Sequence, residues 1–269
     1  MKNYLETSKK YKGFHYSVLS QEQLDYLHKR TLEIFLKVKE VFDNNNVRYM
    51  ICGGTLLGAV TTGHFIPWDD DFDMCVFEED YERAIDLLID NLGDDIVVQC
   101  KKTEPRYFHG WVKVRDKNSR VEPATESYAN NGVWCDLYKL AKSKEKDIEY
   151  RMAKEHLDYL KRRLLAKDIT KSDFRSRVIN NKLYGKILKS KIASFFSNKN
   201  DDKYIIWSAS KVVLNEDWAL PLTHVVFEGR DVTTFANPTA YLKEHYGDDF
   251  NVLPSDEKRR VGINAIQIV

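Results

Sequence analysis

The chain has 269 residues, 43% hydrophobic and 12% aromatic, which excludes a disordered polymer and allows one large or two small domains. No apolar run reaches the roughly 18 residues of a membrane span, and the start, MKNYLETSKKYKGF, has no apolar core of signal-peptide length. A net charge of +1 excludes a generally basic nucleic-acid binder, but it hides a division: Lys139 to Lys203 carries 19 Lys/Arg against 9 Asp/Glu, and the rest is acidic.

Ser20 and Gln23 have the spacing of a capping box, and Leu24, Leu27, Thr31, Ile34, Phe35, Val38 and Phe42 then recur with helical period until Asn44-Asn45-Asn46. Val47–Cys52 is a short β-rich run, Gly53-Gly54 a turn, and Thr55–Val60 a short helix. Phe72–Phe77 is a second β-rich run, and Glu78–Asn91 an amphipathic helix. Ile96–Gln99, Tyr107–Arg115 and Val133–Leu137 are strand-like. In the second, Phe108, Gly110, Val112 and Val114 alternate with His109, Trp111, Lys113 and Arg115. From Lys142 to Ser197 the composition turns helical and basic. Val225–Phe227 and Val232–Phe235 are strand-like again, and Asn237-Pro238 opens a last helix. Three segments result: a catalytic core with its N-terminal helix (1–140), a basic helical segment (141–203), and a C-terminal segment packing back on the core (204–269). Cys52, Cys75, Cys100 and Cys135 lack metal-ligand spacing and sit in apolar contexts, so they read as buried reduced thiols, which suits the cytoplasm.

The chemistry concentrates in Asp69, Asp70, Asp71 and Asp73. Four acids within five residues repel one another unless a cation neutralises them. On a strand, Asp71 and Asp73 share a face and can hold one divalent ion, and oxygen ligands suit Mg2+ (or Mn2+). Asp136, a charge interrupting the apolar run VWCDLY, is the third candidate. A calcium loop starting at Asp69 fails because Met74 stands where glycine is needed. A helical prenyl-diphosphate motif, DDxxD, is opposed by Pro67 and by the strand-like FDMCVF. A solvated acidic turn is the bland alternative. Gly53, Gly54 and Thr55 can approach a diphosphate or merely join strand to helix. Lys113 and Arg115 can neutralise a donor phosphate or line an exposed strand face. Trp68 can stack on a base, cap a ligand cation, or anchor the core. Asp69 and Asp70 support the turn or a water shell. Tyr246-Gly247-Asp248 reads as a helix stop, and Arg259 and Arg260 as solvated charge. His64 and His109 receive no ligand role.

A glycine turn, a short helix, and acids spaced hDhD on a strand resemble the polymerase-β type of nucleotidyltransferase. The run GTLLGAV (54–60) followed by FIPWDDDFD (65–73) is more closely similar to the LicD family of phosphocholine transferases, distantly related to fukutin. HGWVKVRDKNSRV (109–121), GVWCDLYKL (132–140) and a C-terminal block with Phe227, Gly229, Pro238, Tyr241-Leu242, Tyr246-Gly247-Asp248 and Pro254 extend the match. Thr61-Thr62 replaces a basic pair often present in the family, and the family's second acid in DIFPLD is lost after Asp136. The resemblance implies an α+β fold, with a polymerase-β-like core, a mixed sheet and a mostly helical basic segment. It also implies metal-dependent transfer of a phospho-alcohol, usually phosphocholine, from a CDP-alcohol donor to a glycan or lipid-linked glycan acceptor, with CMP leaving. Asp71 and Asp73 would be metal ligands, and Asp136 a third ligand or the base. The expected location is cytoplasmic, with the basic segment available to meet the inner face of a membrane. A nucleotidyltransferase acting on a small hydroxylated substrate and a non-catalytic glycan- or nucleotide-binding module are the alternatives; a nucleic-acid partner is not expected.

Overall fold

A computed structural model describes residues 9–11, 14–16, 19–122, 129–207, 211–252, 255, 263 and 265–268. Arg259, Arg260 and Pro254 lie outside the described residues. In chain order, β1 (Lys9–Tyr11) and β2 (Phe14–Tyr16) precede α1 (Gln21–Asn44), β3 (Tyr49–Ile51), α2 (Gly53–Thr61), β4 (Phe72–Phe77) and α3 (Glu78–Asn91). β5 (Ile96–Gln99), β6 (Val112–Asp116), β7 (Ser119–Glu122) and the long β8 (Trp134–Lys144) follow. After a 3-10 turn come α4 (Ile148–Leu165), α5 (Lys171–Asn180) and α6 (Leu183–Phe196), then β9 (Asp202–Trp207) and β10 (Val212–Asn215). The remaining described elements are α7 (Glu216–Ala219), β11 (Thr223–Phe227), β12 (Arg230–Thr234), α8 (Pro238–Tyr246) and β13 (Ala265–Ile268).

The fold is α+β around a mixed seven-stranded sheet. β8 is its spine. One edge of β8 pairs in parallel with β4, which continues antiparallel to β3. The other edge is shared: β6 pairs with the first residues of β8, and β9 with the last, from Lys139 to Lys144. The parallel β4–β8 pair requires a long crossover, and α3, β5 and β6 supply it. The three basic helices are inserted between β8 and β9 and have their own small core of Leu157, Leu160, Ile169, Val178 and Leu183.

Local chemistry explains most element ends. Ser20 and Gln23 form the capping box, and α1 stops at the asparagine run as its spacing predicts. Asn237 caps α8 by accepting from the Ala240 N–H, with Pro238 in the first turn, and Gly247 ends it at φ +93°. Three expected bounds shift. The strand expected over Tyr107–Arg115 is a ladder only from Val112, because Tyr107 and Phe108 turn away to pack on Ala166 in a separate small cluster. The strand expected to end at Leu137 runs on to Lys144, since β9 takes over its free edge. The helix expected from Thr55 already includes both glycines.

Aromatic packing fixes the acidic run. Phe65 and Phe72 are both buried and bracket it; Phe72 stacks on Phe35 of α1 at 4.2 Å, and both meet Phe227 edge-on. His28 stacks on Phe65 and its Nε2 lies 3.0 Å from the Asp69 carbonyl. The polar residues between two core anchors are thereby held in a fixed loop.

A charge network pins α1 to the sheet. Arg30 bonds Glu33, Asp95 and the fully buried Asp116, and Lys37 also reaches Asp95. Hydrogen bonds from Arg30 and Lys37 push the Asp95 carboxyl down to about 2. The stability it contributes is complete above its ordinary value of 3.8 and is lost as pH falls through about 2. Asp95→Asn is therefore expected to flatten the dependence of Tm on pH between about 4 and 2, read by calorimetry. An unchanged acid limb would count against this network.

Candidate active site

The site is built on one row of the sheet. Asp73 of β4 lies directly opposite Asp136 of β8, and Asp136 lies directly opposite Lys113 of β6. Cys52, whose N–H donates to the Asp73 carbonyl, extends the row toward Gly53 at the start of α2. Asp71 precedes β4 rather than belonging to it, so strand parity does not place it. Its oxygen nevertheless lies with one oxygen each of Asp73 and Asp136, all within 4.8 Å of one another. Asp69, Asp70 and Asp71 bring oxygens together within the same span.

The glycines explain how these acids come so close. A Cβ on Gly53 would sit 2.0 Å from Asp73 Oδ2, and one on Gly54 would sit 2.8 Å from Asp69 Oδ2. The Gly54 N–H donates to Asp73 Oδ2 (3.0 Å), and the Asp73 N–H donates to Thr55 Oγ1 (2.8 Å). The Gly53 N–H donates to the buried Tyr241 hydroxyl, which in turn meets His245 Nδ1. Gly53, Gly54 and Thr55 thus engage protein groups and position Asp73.

Asp136 is the most heavily bonded of the acids. Lys113 Nζ reaches both of its oxygens (2.9 and 3.1 Å), and the indoles of Trp111 and Trp134 and the Tyr138 hydroxyl each donate to it. Lys113 is buried, so the reading of an exposed strand face fails for it. Arg115, two residues further along β6, is buried too, but it donates to Gln99 Oε1 and the Gly132 carbonyl. Lys113 and Arg115 both lie over the Trp134 ring. Trp68 is half-buried and packs on the main core. Tyr246 ends α8 close enough for Asp73, Asp69 and Asp71 to act, after burial, in raising its hydroxyl.

Electrostatically the cluster is under strain as it stands. Burial, then Asp73, Asp70 and Asp136, hold the Asp71 carboxyl well above its ordinary range. Burial and Asp136 push Asp73 up to about 7, against the lowering contributions of Gly54 N–H, Tyr138 and Lys113. Burial, Asp73 and Asp70 raise Asp69, whose buried Oδ2 has no hydrogen-bond partner. Crowded carboxylates, an orphaned buried oxygen and an all-oxygen donor set fit a hard divalent cation.

The LicD/FKTN/FKRP nucleotidyltransferase domain family matches residues 46–167, which contain all of these acids. The chain carries a LicD-family domain. It is 24% identical over 258 residues to the lipopolysaccharide cholinephosphotransferase LicD of Haemophilus influenzae, an alignment covering 88% of this chain and 90% of that protein. An uncharacterized protein of Rickettsia prowazekii is 30% identical over 127 residues, 38% of this chain and 47% of its own. The LicD-type domain therefore extends through β8 and the whole of α4, and the row Lys113–Asp136–Asp73 lies wholly within it.

Lys113 and the three aromatic donors around Asp136 went unread as a set in the sequence; only the register of β6 on β8 brings them together. Lys113→Met is expected to cost about 3–5 kcal/mol in a urea melt, because it strands a buried carboxylate. Adding Asp136→Asn to Lys113→Met is expected to recover part of that loss in a double-mutant cycle. Additive losses would show that the pair is not coupled.

Proposed function

We propose that this protein transfers a phospho-alcohol, phosphocholine first among the candidates, from a CDP-alcohol to a hydroxyl of a cell-surface glycan or its lipid-linked precursor. The observation that carries the reading is the convergence of Asp71, Asp73 and Asp136 at the row where β4 and β8 pair in parallel, inside a LicD-type domain. The Haemophilus relative is a lipopolysaccharide cholinephosphotransferase, which supports phosphocholine and a glycan as the two substrates. The glycine turn feeding α2 beside two acid-bearing strands supports a polymerase-β-like core.

Asp71, Asp73 and Asp136 would hold Mg2+ or Mn2+, with Asp69 completing the cluster. The cation would polarise the phosphoryl oxygens and stabilise the departing phosphate. The acceptor hydroxyl oxygen would attack the phosphorus that bears the alcohol, the bond from that phosphorus to the CMP oxygen would break, CMP would leave, and the hydroxyl proton would pass to a carboxylate of the cluster. Asp136 would serve as a third ligand or as the base that takes the acceptor's proton, held in place by Lys113, Trp134 and Tyr138. Asp71 and Asp73 keep partial solvent access, so they face the substrates.

The test is a donor screen with Mg2+ and lipid-linked glycan extract, offering CDP-choline, CDP-ethanolamine, CDP-glycerol, CDP-ribitol and nucleoside triphosphates. CMP release from one CDP-alcohol, absent in Asp71→Asn, is the expected result. Pyrophosphate release from a triphosphate would replace this reading with nucleotidyl transfer.

A further inference from the structure

Residues 171–199 contain eight Lys/Arg and one acid, Asp173. Within that stretch α6 has two contrasting sides. Leu183 and Ser190 are buried, and Ile187 and Ser194 half-buried, on the side that packs inward. On the outer side Tyr184 (62% exposed), Leu188 (63%), Ile192 (51%), Phe195 (83%) and Phe196 (77%) stand in water. At about 100° per residue these five fall on one stripe roughly 120° wide. Lys189 and Lys191 flank the stripe, and Lys182 and Lys186 add charge further round; all four are exposed.

Single exposed apolar residues need no explanation, but five in one stripe mark a contact surface. We propose that this face of α6 docks on an anionic lipid bilayer, the aromatic and aliphatic side chains entering the headgroup boundary while the lysines meet acidic headgroups. The charge selects that occupant. A second copy would set two strongly basic faces against each other without acids to neutralise them. A nucleic acid would satisfy the lysines but leave Leu188 and Ile192 without a partner at the centre of the surface. A bilayer satisfies both at once, as amphipathic interfacial helices do. No described helix is long and apolar enough to cross a membrane, so the contact is peripheral. The inference stands apart from the transfer reaction and does not depend on it.

The experiment is flotation of the full chain with vesicles of phosphatidylcholine alone or mixed with phosphatidylglycerol. Binding to the mixed vesicles only, weakened by salt, is the expected result. Phe195→Ser/Phe196→Ser and Lys189→Glu/Lys191→Glu are each expected to lower the partition coefficient about tenfold or more. All four positions are exposed, and circular dichroism checks that both variants keep the fold. Failure of the wild-type protein to float with anionic vesicles would overturn the proposal, as would binding that both variants retain. A wild-type dimer that Phe195→Ser/Phe196→Ser splits into monomers would assign the stripe to a second copy instead.

Discussion

Asp71→Asn will leave the metal-free protein more heat-stable and nearly without transfer activity. Asp71 is held well above its ordinary carboxyl range by burial and by Asp73, Asp70 and Asp136, so its ionised form destabilises the fold. The destabilisation begins as pH rises above the unfolded value of 3.8 and grows with pH. Removing that charge is expected to raise the metal-free Tm at neutral pH by about 2–6 °C, the effect of roughly 1–2 kcal/mol in a chain of this size. The gain should vanish below pH 3.8, where the wild-type side chain is also neutral. Adding Mg2+ should stabilise the wild type and have little effect on the variant. Turnover should fall about a thousandfold or more, since losing a proposed metal ligand would remove several kcal/mol of charge stabilisation. A metal-free Tm at or below that of the wild type, or turnover within tenfold of it, would refute this account of the cluster.

Gly53→Ala is the second large effect, and it acts through Asp73. Gly53 sits at φ +53°, which costs an L-residue about 1–2 kcal/mol, and its new Cβ would lie 2.0 Å from Asp73 Oδ2. The first obstacle weakens the fold; the second displaces a proposed ligand. The variant is expected to lose at least about 2 kcal/mol of stability and most of its Mg2+-dependent stabilisation, both measurable by calorimetry with and without the ion. A variant that is destabilised but keeps its full response to Mg2+ would show that Asp73 is not a ligand. Gly54→Ala acts on the other side, where its Cβ would meet Asp69 Oδ2 at 2.8 Å, and offers a graded comparison.

The sequence carried the site's acids but only part of their support. Phe72–Phe77 and Glu78–Asn91 are found over the residues their periodicity indicates, because local hydrophobic pattern and tertiary burial agree there. Asp136 was legible as a charge in an apolar run, and the register confirms that it faces Asp73. The glycine turn was legible as a turn; that it makes room for Asp73 and Asp69 was not, since the requirement arises twenty and fifteen residues further along the chain. Lys113 was legible as a site cation without its partner, whereas Arg115 spends its donors on Gln99 and the Gly132 carbonyl. The Tyr241–Gly53 contact joins residues 188 apart and has no local signal at all.

The length of β8 sets a distance. From Asp136 to Lys144 the strand runs eight residues, about 26 Å at the usual rise. The 3-10 turn after Lys144 carries Asp147, which accepts a hydrogen bond from Ser194, so Phe195 and Phe196 lie beside the far end of the strand. One continuous rod therefore joins the carboxylates to the exposed phenylalanines. A bilayer held at those phenylalanines, as proposed, would leave the acids up to about that length from its surface. The spacing between that anchor and the acids would then bound how far from the bilayer surface an acceptor hydroxyl can react.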